Sequence, residues 1–144
     1  MNIFKKCLVV FACITLSASM ISCDDNAALR DQYNSLFTEV IAIHDELMPE
    51  MGKLTELQEQ LQAQDSITSA QQEALDKLKE SDNRMMSWMH DFTDTYVKDR
   101  TPVAKMTAAE LEENIEGLTT ELEEVKDLRD FTNESIASAQ KSLK

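Results

Sequence analysis

After the first two dozen residues, apolar positions recur at alternating steps of three and four, the period of a helix with one face turned to a core. From Leu29 this seam runs through Tyr33, Leu36, Val40, Ile43, Leu47, Met51, Leu54 and Leu57 to Leu61, and predicts a first helix over residues 27–63. QDSIT at residues 64–68 breaks the period. Thr68 followed three positions later by Gln71 makes a capping box, whose side chains satisfy backbone N–H groups that a helix start leaves without partners. It opens a second helix over 68–98, with a seam of Leu75, Leu78, Asp82, Met85, Met89, Phe92 and Tyr96. Pro102 cannot continue a helix, and Thr107 with Glu110 forms a second capping box. The third helix, over 107–143, carries Leu111, Ile115, Leu118, Leu122, Val125 and Leu128 and then, after a phase slip near Phe131, Ile136 and Leu143.

With two glycines, two prolines and no alternating β-branched stretch, the chain has little turn chemistry and nothing that reads as a strand. The fold class is all-α. Short connections make sequential helices antiparallel neighbours, so the expected architecture is a slim, coiled-coil-like antiparallel three-helix bundle about 45–55 Å long at ~1.5 Å per residue. Pro49 interrupts the first helix by removing the N–H that would bond the Asp45 carbonyl, and a bend there is expected.

The first residues change the picture from fold to location. MNIFKKCLVVFACITLSASMISC has two early lysines, an apolar run too short to span a bilayer, and a small polar stretch ending at Cys23. That is the pattern of a secretory leader. Met20-Ile21-Ser22-Cys23 resembles the bacterial lipobox, with Met20 in place of the usual leucine, and implies that Cys23 is lipidated and becomes the mature N-terminus. The division is then 1–22 lipoprotein signal peptide, 23–26 lipid-anchored linker and 27–144 three-helix bundle. Several acyl chains at about 0.8 kcal/mol per buried CH₂ would hold such a protein on a membrane.

Charge and cysteine usage exclude whole classes of function. The chain has a formal net charge of −13, and loss of the leader with its two lysines leaves 12 basic against 27 acidic residues, a charge of −15. Nucleic acid is a poor partner for such a surface. All three cysteines lie at or before position 23, so the bundle has no disulfide, thiolate ligand or cysteine nucleophile. Gly52 and Gly117 stand alone, which rules out a phosphate-cradling loop. Asp45, Glu46 and Glu50 near His44, and Asp82, Asp91 and Asp94 near His90, read as the solvated face of an acidic chain and not as a catalytic pair. The expectation is a protein that is not an enzyme.

Two stretches stand out. HDELMPEM (residues 44–51) and RMMSWMHDF (84–92) hold both histidines, the single tryptophan and five of the eight methionines. A hairpin turning near residue 65 sets His44 against Met85 and Met86, and Met48 against Asp82. A second turn near residue 102 sets Met86 to Met89 against Gly117, whose missing side chain would make room for the Trp88 indole. Core packing explains these residues, since methionine fills irregular gaps and its sulfur packs well on aromatic rings. The alternative is a soft-metal site for Cu(I) drawn from His44, Met48, Met85, Met89, His90 and Trp88, because thioether and imidazole donors suit that ion. The donor types resemble those of small periplasmic copper carriers, though the fold does not. A hydrogen bond between Asp82 and His44 would explain the charge on the second seam, and Phe37 and Ile41 are spare seam positions through which the chain could form a homo-oligomer.

HDELMPEMGKL and MMSWMHDF, preceded by the lipobox and followed by an acidic helix, resemble a group of Bacteroidota lipoproteins of unknown function often labelled "viral A-type inclusion protein". The resemblance covers most of the mature chain. It implies an exported helical protein anchored in the cell envelope through Cys23, on the periplasmic or surface face of the outer membrane, and implies no activity or cofactor. Asp24 and Asp25 are similar both to a surface-export signal of such lipoproteins and to an inner-membrane retention signal of enterobacteria. Asp65-Ser66-Ile67 is similar to the O-glycosylation sequence on exported proteins of these bacteria, which makes Ser66 a candidate acceptor. The function expected is a structural or protein-interaction module with a lipid membrane and a protein as its partners.

Overall fold

The computed structural model describes residues 24–144; the leader and Cys23, and with them the expected cleavage and lipidation, lie outside the described residues. The chain forms three long helices packed against one another: α1 Asp24–Gln62, α2 Ser69–Tyr96 and α3 Ala108–Ser142, with a 3-10 turn at Val103–Lys105. There is no strand among the described residues, and no helix there is long and apolar enough to cross a membrane.

Both capping boxes form. The Thr68 hydroxyl accepts from the Gln71 N–H while the Gln71 amide oxygen accepts from the Thr68 N–H, and Thr107 and Glu110 repeat the arrangement. The bonds from the Thr107 backbone and hydroxyl hold the Glu110 carboxyl below its ordinary value. The expected ends of the helices are met within about two residues, with one difference at the start. α1 is helical from the first described residue, Asp24, so the described part of the expected 23–26 linker is helical. α1 runs on as one helix through Pro49, whose exposure lets water serve the carbonyl left without its N–H.

The core has two apolar parts. One gathers Tyr33, Val40, Met85, Phe92, Leu118 and Leu122 with their neighbours; the other gathers Leu54, Leu61, Leu75, Leu78, Ile136 and Ala139. Met51 packs against both. Where they meet, the fully buried hydroxyls of Ser81 and Thr132 share a 2.6 Å hydrogen bond from α2 to α3.

The α1 seam is the expected one, with Leu29, Leu36 and Met51 partly buried at its margins. α2 differs. Its buried line passes through Ser81 and Trp88, leaving Asp82 and Met89 half-buried beside it. A small hydroxyl with a partner across the interface costs far less to bury than a carboxylate. On α3 the supposed phase slip is filled by Thr132, Ser135 and Ala139, small residues that an apolar count overlooks.

The α2–α3 register is also corrected. Ser81 pairs with Thr132, and Tyr96 lies against Gly117. Both pairs are centred between Met106 and Thr107, so the hairpin reverses there and not at Pro102. Met106 is buried in the core at the end of the bundle, and the segment leading to it includes Asp99 in the left-handed region at φ 54°. Burying Met106 draws the loop inward and lengthens it.

Candidate functional site

Trp88 is the centre of the region singled out by sequence. It belongs to an aromatic ladder at i, i+4, i+8 on α2, with centroids 5.0 Å from Trp88 to Phe92 and 5.1 Å from Phe92 to Tyr96. α1 answers with Phe37, 5.6 Å from Phe92, and with Tyr33 stacked on Phe37 at 6.2 Å. Arg100 closes one end, its guanidinium 5.1 Å over the Phe37 ring and donating to the Tyr33 hydroxyl at 2.9 Å. His44 closes the other, stacked on Trp88 at 5.9 Å. Aromatic pairs of this kind add about 0.5–1.5 kcal/mol each beyond their area. The ladder is therefore a structural spine between α1 and α2.

His44 faces Trp88, close to the expected hairpin register. Its Nδ1 lies 3.1 Å from Oδ1 of Asp45, the adjacent residue, and the expected bond to Asp82 is not made. Asp82 sits one position off the buried line, and Asp45 is nearer.

The other candidate ligands diverge. Met85 is buried in the core, Met48 is 46% exposed, and the His90 side chain is 73% exposed, with Nε2 3.7 Å from Asp94. His44, Trp88 and Met89 do share a small pocket of about 110 Å³ with Ile41, Phe92 and Val97. Met48, Met85 and His90 are not among its lining residues. Among the described residues, no group of three or more His, Cys, Asp or Glu is arranged to hold a metal ion.

The opposite edge of Trp88 opens a second site that sequence reasoning missed. An open groove of about 390 Å³ runs between α2 and α3, lined by Arg84, Trp88 and Asp91 on one side and Glu121, Glu124 and Asp127 on the other. Arg84 places its guanidinium 4.7 Å over the Phe131 ring. Burial, and then the charge of Glu124, push the Glu121 carboxyl above its ordinary value; Asp91 adds to this, and the Trp88 N–H opposes it. That N–H is fully covered and has no hydrogen-bond partner. Glu121 is the carboxylate on which that N–H acts. The i, i+3 carboxylates of α3 were visible in the sequence, but the shifted α2–α3 register hid what they face.

Comparison of the chain with protein-family models, with curated proteins and with solved structures finds no match. The geometry alone carries the functional argument. Gly117, expected to accommodate Trp88, accommodates Tyr96. Burial, then Glu121, push the Tyr96 phenol up to about 12. Ser66 is exposed in the turn between α1 and α2, with Ile67 half-buried after it.

Proposed function

We propose that this chain is a non-enzymatic, lipid-anchored module of the cell envelope, held on a membrane through Cys23 and acting by contact of its acidic helical surface with a protein partner. The observation that supports this most is the continuity of α1 back to the residue next to Cys23. α1 is helical from Asp24, the first described residue and the one after Cys23, and continues without a break into the core position Tyr33. A lipid on Cys23 would be attached to the bundle by a helix rather than by a slack tether, which suits a protein that works at a fixed height above a surface. Exposure of Ser66 at the α1–α2 turn is compatible with O-glycosylation there.

Labelled palmitate tests the anchor. It enters the wild-type chain and the chain sediments with membranes, whereas Cys23→Ser takes up no label and is released; equal labelling of both overturns the anchor. Ser66→Ala tests the glycan as the loss of a mass increment in the native host.

The soft-metal reading is supported by one arrangement, the stacking of His44 on Trp88 with Met89 in the same pocket. It supplies two donors and an aromatic face. Cu(I) would need a further ligand from outside this set.

A further inference from the structure

We propose that the groove between α2 and α3 binds a lysine- or arginine-bearing segment of a protein partner, with the basic head among Asp91, Glu121 and Glu124 and a main-chain carbonyl of the same segment at Trp88 and Arg84. This rests on the reading of the bundle as a protein-contact module and names the chemistry of the contact.

The groove has two unlike ends. Antiparallel packing sets Asp91 beside Glu121 at one end, with Glu124 next along, and Arg84 beside Asp127 at the other. The first end carries three carboxylates and no cation, while charge at the second is balanced. Seven residues of helix separate Arg84 from Asp91, about 10 Å at ~1.5 Å per residue. A point charge cannot use that length. The carboxylates are also not gathered as a metal requires, so the cation is an organic one that reaches along the groove.

Trp88 supplies the second, independent requirement. Its side chain is 8% exposed, it lines the groove, and its N–H has no partner. Leaving a buried donor unpaired is costly, and native proteins rarely do so. The carboxylate it approaches, Glu121, is the one a bound cation would engage. A ligand that draws Glu121 toward its own positive head and offers a carbonyl to the indole satisfies both groups at once. Arg84, held on Phe131, adds a second donor at the carbonyl end. A fully protonated polyamine has no acceptor to offer, and a segment with a basic side chain and its own peptide group has both.

The test uses the full chain in detergent micelles, with the fluorescence of Trp88, the only tryptophan, as reporter. The probe is the tripeptide Gly-Arg-Gly, acetylated and amidated, compared with free arginine, spermidine and calcium chloride. Saturable change with the tripeptide, at least tenfold weaker in Asp91→Asn/Glu121→Gln at unchanged helicity and a melting temperature no lower than wild type, is the expected result. Calorimetry on Trp88→Phe, which keeps an aromatic ring but removes the N–H, should show weaker binding of the same probe. The proposal is overturned by no saturable response, by an undiminished response in the double variant, or by an equal response to free arginine, spermidine or calcium. Palmitate labelling of Cys23 reports separately on the anchored-module reading, so failure of the groove and failure of the anchor are distinguishable.

Discussion

The phenol oxygen of Tyr96 lies where a Cβ on Gly117 would have to be. A side chain at Gly117 must therefore displace a buried aromatic ring at the end of a stacked ladder. Ordinarily an alanine in place of a mid-helix glycine gains stability. Here Gly117→Ala is expected to lose about 1–3 kcal/mol from overpacking, read as a lower urea midpoint. Gly52 is the control, because a Cβ there meets nothing within 4 Å, and Gly52→Ala should gain about 0.5–1 kcal/mol. Tyr96→Phe removes the obstructing oxygen, so the double variant Gly117→Ala/Tyr96→Phe should recover part of the loss. Strict additivity of the two changes would refute the contact.

Ser81 and Thr132 make the one cross-helix bond between buried side-chain hydroxyls of the described core. Ser81→Ala leaves the Thr132 hydroxyl buried and alone, at a cost of about 1–3 kcal/mol. Ser81→Ala/Thr132→Val removes both polar groups and should lie closer to wild type. Chemical denaturation of the three proteins decides it; a double variant less stable than the single one would mean that the bond itself, and not the orphaned hydroxyl, dominates.

Two titrations should leave traces of the same sign on stability, in separate pH ranges. The folded-state pKa of Glu121 lies above its ordinary 4.5, chiefly through burial and Glu124, so its contribution is present below that value and is lost as pH rises through the folded pKa. Glu121→Gln should therefore be more stable than wild type at neutral pH, and the difference should vanish in acid, where the carboxyl is protonated in both states. Thermal melts across that range measure it. Tyr96 keeps its proton in the folded state up to about 12, so its contribution holds below 10 and is lost through 12. Ultraviolet titration should show a tyrosine ionising that late, and Tyr96→Phe should remove it.

Cu(I) titration of the full chain against a competing chelator tests the soft-metal reading. With Met85 in the core and Met48 and His90 in solvent, we expect no competition and no quenching of Trp88. Tight binding abolished by both His44→Ala and Met89→Ala would reverse that expectation and give the pocket beside Trp88 a metal role.

The seam of α1 and both capping boxes could be read from the chain because they are local. A three-four step and a Thr-x-x-Gln or Thr-x-x-Glu depend only on residues within a turn or two. The hairpin of α1 and α2 was also legible, since its turn is brief and lies where QDSIT breaks the period, near residue 65. For the candidate site, pairing His44 with the RMMSWMHDF stretch was correct in outline. The partner within that stretch was Trp88, because its ring fills the space between the helices while Met86 turns outward.

What composition and periodicity determined by themselves was an acidic, all-helical, three-helix chain with defined ends to α2 and α3. Register between α2 and α3 was decided only in three dimensions, because burying Met106 moves the reversal about four residues beyond Pro102 and carries every facing pair with it. That one displacement put Tyr96, not Trp88, against Gly117. It also set Glu121 and Glu124 beside Trp88, forming an acidic groove with a partnerless indole N–H in its wall. Local propensity cannot encode such a choice, since it rests on how well one buried methionine and one hydroxyl pair fit between helices.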